Sequence, residues 1–239
     1  MSHGLVSRQA RVRPIVCEWD ASSTKPGPSQ NSEAWQELLP RIKSISKPIV
    51  VNRRLGELIP ATVTSCVSAV LANGEVPLLL GGDHRLSYSS LQAVNSHVDL
   101  SQVHQWDAHH DHHQSLTLNN YSVFHFAQSR LGMNIFRHGL REDGAPPAQI
   151  PERPEKHVYV SIDADYLDPQ DFASVSYPLP VKPSMRCDIE TLLSEVEEVG
   201  RNFEVIGGDV VEWCGHRATE KEKEIVRRLV QGVVDCIGK

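Results

Sequence analysis

Three short apolar runs in this chain each stop at a cluster of metal-ligand residue types, and this pattern constrains the fold more than any other feature. Val76-Pro-Leu-Leu-Leu80 leads into Gly81-Gly-Asp-His84, Val103 to Trp106 leads into Asp107-Ala-His-His-Asp111, and His157-Val-Tyr-Val160 leads into Ser161-Ile-Asp-Ala-Asp165. A short apolar run that ends abruptly at polar residues predicts a buried parallel strand with a functional loop at its carboxyl end. Three such strands bring His84, Asp107, His109, Asp111, Asp163 and Asp165 to one edge of a sheet, where open α/β folds bind their ligands. Four carboxylates gathered without cations would repel strongly, so the set calls for metal and points to a two-metal hydrolase.

Strands alternating with helical patterns along the rest of the chain predict a three-layer α-β-α architecture around a mostly parallel sheet. A strand is expected from Pro14, a helix over about 32–45, a strand at 48–51, and a helix over about 56–73 that stops at Asn73-Gly74. Further helices are expected near 88–95, 123–131, 188–199 and 220–236, with additional strands at 133–138 and 203–206. The segments 20–31, 144–156 and 168–183 are rich in Pro, Gly, Ser or Thr and read as loops. At 239 residues the chain is expected to form a single domain, 1–239.

Composition then removes several classes of function. A hydrophobic content of 40%, a charged content of 23% and a net charge of −6 describe an ordinary globular protein with no nucleic-acid signature. No apolar run is long enough to span a bilayer and no signal-peptide core is present, so a cytoplasmic setting without membrane attachment is expected. The five cysteines (Cys17, Cys66, Cys187, Cys214, Cys236) are scattered, which suits reduced thiols rather than a disulfide framework.

In this order, Gly-Gly-Asp-His, Asp-Ala-His-x-Asp and Ser-x-Asp-x-Asp-x-x-Asp-Pro resemble the signatures of the ureohydrolases, which include arginase, agmatinase and formiminoglutamase. Asp209-Val-Val-Glu212 is similar to that family's last signature. Four ordered blocks are far more specific than any one of them. The resemblance implies a shortened arginase-like fold and two Mn²⁺ ions, with Asp107 and Asp163 bridging them. His84 and Asp111 would complete one shell, and His109 and Asp165 the other. The same donors would also accept Zn²⁺, Co²⁺ or Ni²⁺. Glu212 would anchor a substrate guanidinium, Asp111 would pass a proton to the leaving amine, and His125 would relay protons to solvent. His112 and His113 are rivals for that last role, and a helix-face packing role is the alternative for His125. A homo-oligomer is also implied.

The chain departs from the family pattern in two places. The span between Asp107 and Asp163 is short, and Leu118-Asn-Asn-Tyr-Ser-Val-Phe-His125 stands where a Ser-Gly-Asn-x-His-Gly signature is usual. Fewer loops imply a more open mouth, which resembles the compact peptide arginases that convert arginine to ornithine within a peptide during natural-product maturation. An agmatinase, a free-arginine arginase or a guanidino-acid ureohydrolase is the alternative, and a catalytically decayed metal-binding scaffold is the second. Asp83 and Asp168 are expected to form turns or support the ligands, and Trp106 and Trp213 to pack in the core.

Overall fold

The computed structural model describes residues 11–17, 30–51, 59–143 and 156–237. Seven strands form one sheet: β1 (Val12–Cys17), β2 (Ile49–Val51), β3 (Val76–Leu80), β4 (Gln102–Trp106), β5 (Asn134–His138), β6 (His157–Asp163) and β7 (Glu204–Val211). Their order is β2-β1-β3-β7-β6-β4-β5, and every neighbouring pair is parallel. Parallel neighbours cannot be joined by tight hairpins, so helices make the crossings. These are α1 (Gln30–Leu38), α2 (Ile59–Ala72), α3 (Arg85–His97), α4 (Val123–Leu131), α5 (Ile189–Asn202) and α6 (Glu220–Cys236).

The strands are buried on both faces because successive side chains point in opposite directions. In β3, Leu78 and Leu80 enter the core beneath α1, α5 and α6, while Leu79 enters the core beneath α2, α3 and α4. In β6, Val158, Val160 and Ile162 take the first side and Tyr159 the second. The expected three-layer arrangement is thus the observed one. Helix ends follow local chemistry. Asp188 accepts the Thr191 amide to start α5, Thr219 and Glu222 form a reciprocal cap on α6, and Gly132 closes α4 at φ 71°.

Some element boundaries differ from expectation. β1 spans Val12–Cys17, and α1 stops at Leu38 with a 3-10 turn over Leu39–Arg41 instead of running to residue 45. Pro40 lies in that turn and cannot continue an α-helical ladder. β6 and β7 run several residues past their predicted ends, to Asp163 and Val211. Gly207 and Gly208 lie beyond the expected strand at 203–206 yet fall inside β7, where a Cβ at Gly208 would meet the Val160 carbonyl oxygen at 3.0 Å. Gly208 thus admits the neighbouring backbone, and Gly207 the Tyr159 ring, which an added Cβ would meet at 3.0 Å. The expected loop at 168–183 holds no helix or strand. The polar N-terminus to residue 10, most of the expected loop 20–31 and nearly all of 144–156 lie outside the described residues. Among the described residues no helix is long and apolar enough to cross a membrane.

Candidate active site

The four central strands β3, β7, β6 and β4 are consecutive in the sheet, and each carries one of the sequence blocks at its carboxyl end. After β3, Gly81 and Gly82 turn the chain at φ 78° and 81°, a region that side chains disfavour. A Cβ at Gly81 would lie 2.5 Å from the Trp35 indole nitrogen, so the turn is also sterically closed to larger residues. This turn places His84 at the start of α3, fully buried.

His84 Nδ1 faces three carboxylates: Asp111 Oδ2 at 2.9 Å, Asp163 Oδ2 at 3.3 Å and Asp107 Oδ2 at 3.5 Å. Its other nitrogen, Nε2, lies 3.3 Å from Ser161 Oγ, which donates to Asp209 Oδ1 at 2.8 Å. A donor role for Nε2 leaves a lone pair on Nδ1, aimed at the carboxylates. On the neighbouring side, His109 Nδ1 sits 2.8 Å from Asp165 Oδ2 and 3.7 Å from Asp107 Oδ1. Backbone amides orient the acids: His109 N–H donates to Asp107, Asp165 N–H to Asp163, and Ala108 N–H to Asp165. Gln105 adds a side-chain bond to Asp107 Oδ2 at 2.8 Å.

The electrostatics of this cluster are frustrated without a cation. Burial, reinforced by the charges of Asp111 and Asp165, pushes the Asp107 carboxyl up to about 8. Burial followed by Asp165 and Asp107 holds Asp163 well above the usual carboxylate range. Burial alone would lower both histidines. The carboxylates override it, raising His84 well above its ordinary value and His109 to about 11. The buried His84 Nδ1 has no properly directed hydrogen-bond partner, although three carboxylates surround it. An orphaned ring nitrogen among carboxylates fits a divalent cation. Within this cluster two donor groups satisfy the spacing for an ion, His84 with Asp107 and Asp163, and Asp107 with His109 and Asp165. Asp107 is common to both, and imidazole with carboxylate oxygen suits Mn²⁺ or its first-row neighbours.

Glu212 follows β7 at φ 59°, and Asp111 ends the second block at φ 44°. Of the three non-glycine residues with positive φ among the described residues, these are two. Glu212 Oε1 accepts the His84 amide at 2.9 Å, and its own amide bonds Gly82 O at 3.1 Å. Burial, with Asp83 nearby, pushes its carboxyl up to about 7. A cavity of about 300 Å³ opens over the cluster, lined by His109, Asp111, Asp163, Asp165 and Glu212, with Asn120, Tyr121 and Tyr177 around them. Tyr121 and Tyr177 are 51% and 65% exposed and form its rim. Larger clefts, of about 390 and 360 Å³, open elsewhere and gather none of the six ligand-type residues.

The structure brings all six ligand-type residues and Glu212 together, but it does not bring His125 to them. His125 sits on α4 with its ring against His112 and Phe126, and it does not line the cavity. Phe124 is the residue turned inward, its buried ring 5.3 Å from that of His84. Consecutive helical residues point roughly 100° apart, so only one of the two can face the site. His112 is tied to Gln128 at 2.7 Å. Asp83 pairs with Arg85, and Asp168 caps the turn at Gln170, so both serve local structure. Trp106 and Trp213 are buried in the core.

Sequence reasoning passed over Gln105, Ser161 and Arg141. Arg141 is buried, and its guanidinium donates to the carbonyls of Asp165, Tyr166, Leu167 and Leu179, fixing the loop beyond the third block. Gln105 and Ser161 share the strand face of Asp107 and Asp163, two residues earlier in each case. That period-two offset was the available signal.

Residues 44–146 match the family model described as "Arginase family". N(1)-aminopropylagmatine ureohydrolase of Thermus thermophilus is 30% identical over 170 residues, covering 59% of this chain and 56% of that protein. Mitochondrial arginase of Medicago truncatula is 30% identical over 173 residues, covering 60% of this chain and 49% of that protein. The matched region thus spans about half the length of these relatives. The crystal structure of formimidoylglutamase from Bacillus subtilis superposes with a TM-score of 0.77 at 15% identity, covering 96% of this chain and 88% of that one.

Proposed function

We propose that the chain belongs to the ureohydrolase superfamily of arginases and agmatinases and hydrolyses a guanidino group to urea and an amine. The observation that carries this reading is one cluster of six ligand-type residues, four of which line a cavity together with Glu212. His84, Asp107, His109, Asp111, Asp163 and Asp165 would hold two divalent cations, with manganese the assignment the family favours. When bound, such a pair makes water a nucleophile at neutral pH.

The residues of the chain do the rest. Glu212 holds the guanidinium by charge-assisted hydrogen bonds, and the cation in turn favours its ionised form. Its one occupied oxygen, fixed by the His84 amide, keeps the carboxylate aimed into the cavity. Attack at the guanidinium carbon gives a tetrahedral intermediate. Asp111 takes the proton of the attacking water and hands it to the departing amine nitrogen. His125 has no part in this reading, because its ring packs away from the cavity.

For the substrate, arginine within a peptide is the reading we prefer. Two exposed tyrosines form the rim, and among the described residues no lysine or arginine lines the cavity to receive a free α-carboxylate. That same charge pattern suits an amine-ended guanidine, so an agmatine-like substrate is the second reading; one relative is named for aminopropylagmatine. All five cysteines are free, which suits a cytoplasmic setting.

Mn²⁺-loaded protein incubated with free arginine, agmatine and a short arginine-containing peptide tests these readings. Urea release with a peptide mass shift from arginine to ornithine is the expected result. Turnover of a small guanidine alone would keep the chemistry and remove the peptide. Inactivity toward all three, with metal bound, would favour a scaffold.

A further inference from the structure

We propose that His110, His113 and Glu142 form a further metal site, outside the paired cluster, suited to Zn²⁺ or a similar divalent cation. Three donor atoms of these residues lie within 4.8 Å of one another, and none of them belongs to the six residues described above. His110 Nε2 is 3.4 Å from Glu142 Oε2, and His113 Nε2 is 3.5 Å from Glu142 Oε1. Charge-assisted hydrogen bonds close to roughly 2.7–2.9 Å, so these separations are long for ion pairs. Each is close to the edge of about 3.3 Å expected between ligands of an ion held tetrahedrally at about 2.0–2.1 Å, with Glu142 presenting a different oxygen to each imidazole. Two histidines and one glutamate are also a donor set that zinc takes in hydrolytic enzymes, with the fourth position left to water.

The backbone holds these donors in place. The amides of Arg141 and Glu142 both bond Ala108 O, which pins Glu142 beside the second ligand block. The His110 amide donates to Glu142 Oε2 at 3.2 Å, and the His113 amide to Tyr121 O at 2.9 Å. The two imidazole rings lie 4.5 Å apart, tilted by 45°. His110 is buried, whereas the side chains of Glu142 and His113 are 31% and 51% exposed. One side of the site therefore opens to solvent, where an ion can enter and keep water.

His110 Nδ1 already accepts the His112 amide at 3.0 Å, which places the ring proton on Nε2. Ligation through Nε2 moves that proton and gives up the amide bond. The site is therefore weaker than the paired cluster and fills after it. An ion here would tie the rim residue Tyr121, through His113, to the segment beneath the second block.

The test is a metal count on metal-free protein equilibrated with excess Zn²⁺ and then washed through a sizing column. Wild type is expected to retain one equivalent more than either His113→Ala or Glu142→Gln. With Co²⁺ as probe, the last equivalent should add tetrahedral visible bands that His113→Ala lacks. Equal counts in wild type and both variants, with identical cobalt spectra, would overturn the proposal. Because the readout is a difference of one ion, it stands whether or not the paired cluster fills or the protein turns over a guanidine.

Discussion

The two faces of the β4 end carry the same residue types in opposite electrostatic states. On one face, Asp107 and Gln105 look toward His84 and His109, whose pKa values are raised by the carboxylates around them. On the other face, His104, Trp106 and His138 stack beneath α5, with centroids 4.4–6.0 Å apart. There Gln102 Nε2 lies 2.6 Å from His104 Nε2, and His104 Nδ1 lies 3.1 Å from His138 Nε2. Such a chain is satisfied when both rings are neutral. Burial, with the neighbouring His138, lowers His104 to about 3, and burial lowers His138 to about 4. Histidine is thus a ligand candidate where lone pairs meet several buried carboxylates, and a packing residue where its ring is stacked and bonded mainly to neutral groups, with only Glu195 4.0 Å from His138 Nδ1.

Substitution in each region should separate the two most sharply. Asp163→Asn is expected to lower metal content and cut urea release by at least about 100-fold, beyond the roughly 10–100-fold cost typical of outer-shell changes. His138→Phe should leave both unchanged. A stack variant that loses metal as Asp163→Asn does would erase the distinction.

The pH dependence of stability should have opposite slopes for the two regions. In metal-free protein, Asp107 (about 8), Glu212 (about 7) and His109 (about 11) all titrate above their ordinary values of 3.8, 4.5 and 6.5. Each contributes stability that is fully present below the unfolded value and lost as pH rises through the folded one. The melting temperature of metal-free protein should therefore fall between about pH 5 and 9. His104 and His138 titrate below 6.5, so their contribution is present above that pH and lost toward 3 to 4. Bound metal replaces the protons of the edge cluster, so it should flatten the alkaline slope and spare the acid one. A melting temperature of metal-free protein that rises over the alkaline range would contradict the frustrated cluster.

The smallest expected effect lies at Glu195, whose Oε2 accepts the Trp106 indole N–H at 2.8 Å. Glu195→Ala leaves that buried donor unpaired and should cost about 1–3 kcal/mol in denaturant unfolding, with unchanged metal content.

The sequence made the strand ends and the six ligand-type residues legible because apolar runs and chemical blocks are both local signals. α4 and α6 were read to their observed limits, Val123–Leu131 and Glu220–Cys236, since each has a clear periodicity and a closing or opening cap. Three things were not legible. Polar Asp163 and Asp209 look like loop residues, yet each lies within a strand whose edge is filled by its neighbours. His125 and Phe124 differ by one helical step, and only packing against His84 decides which turns inward. Glu142 meets His110 and His113 only through the β4–β5 pairing, a relation that no local pattern carries.

The left-handed backbone at Asp111 and Glu212 sets the chemistry against the rest of the molecule. A side chain in that conformation costs on the order of 1 kcal/mol or more, and glycine would relieve it. Glycine at either position should therefore raise the melting temperature while removing a carboxylate from the cavity. Carboxylates at such awkward points trade endurance of the fold for acidic groups held at the cavity.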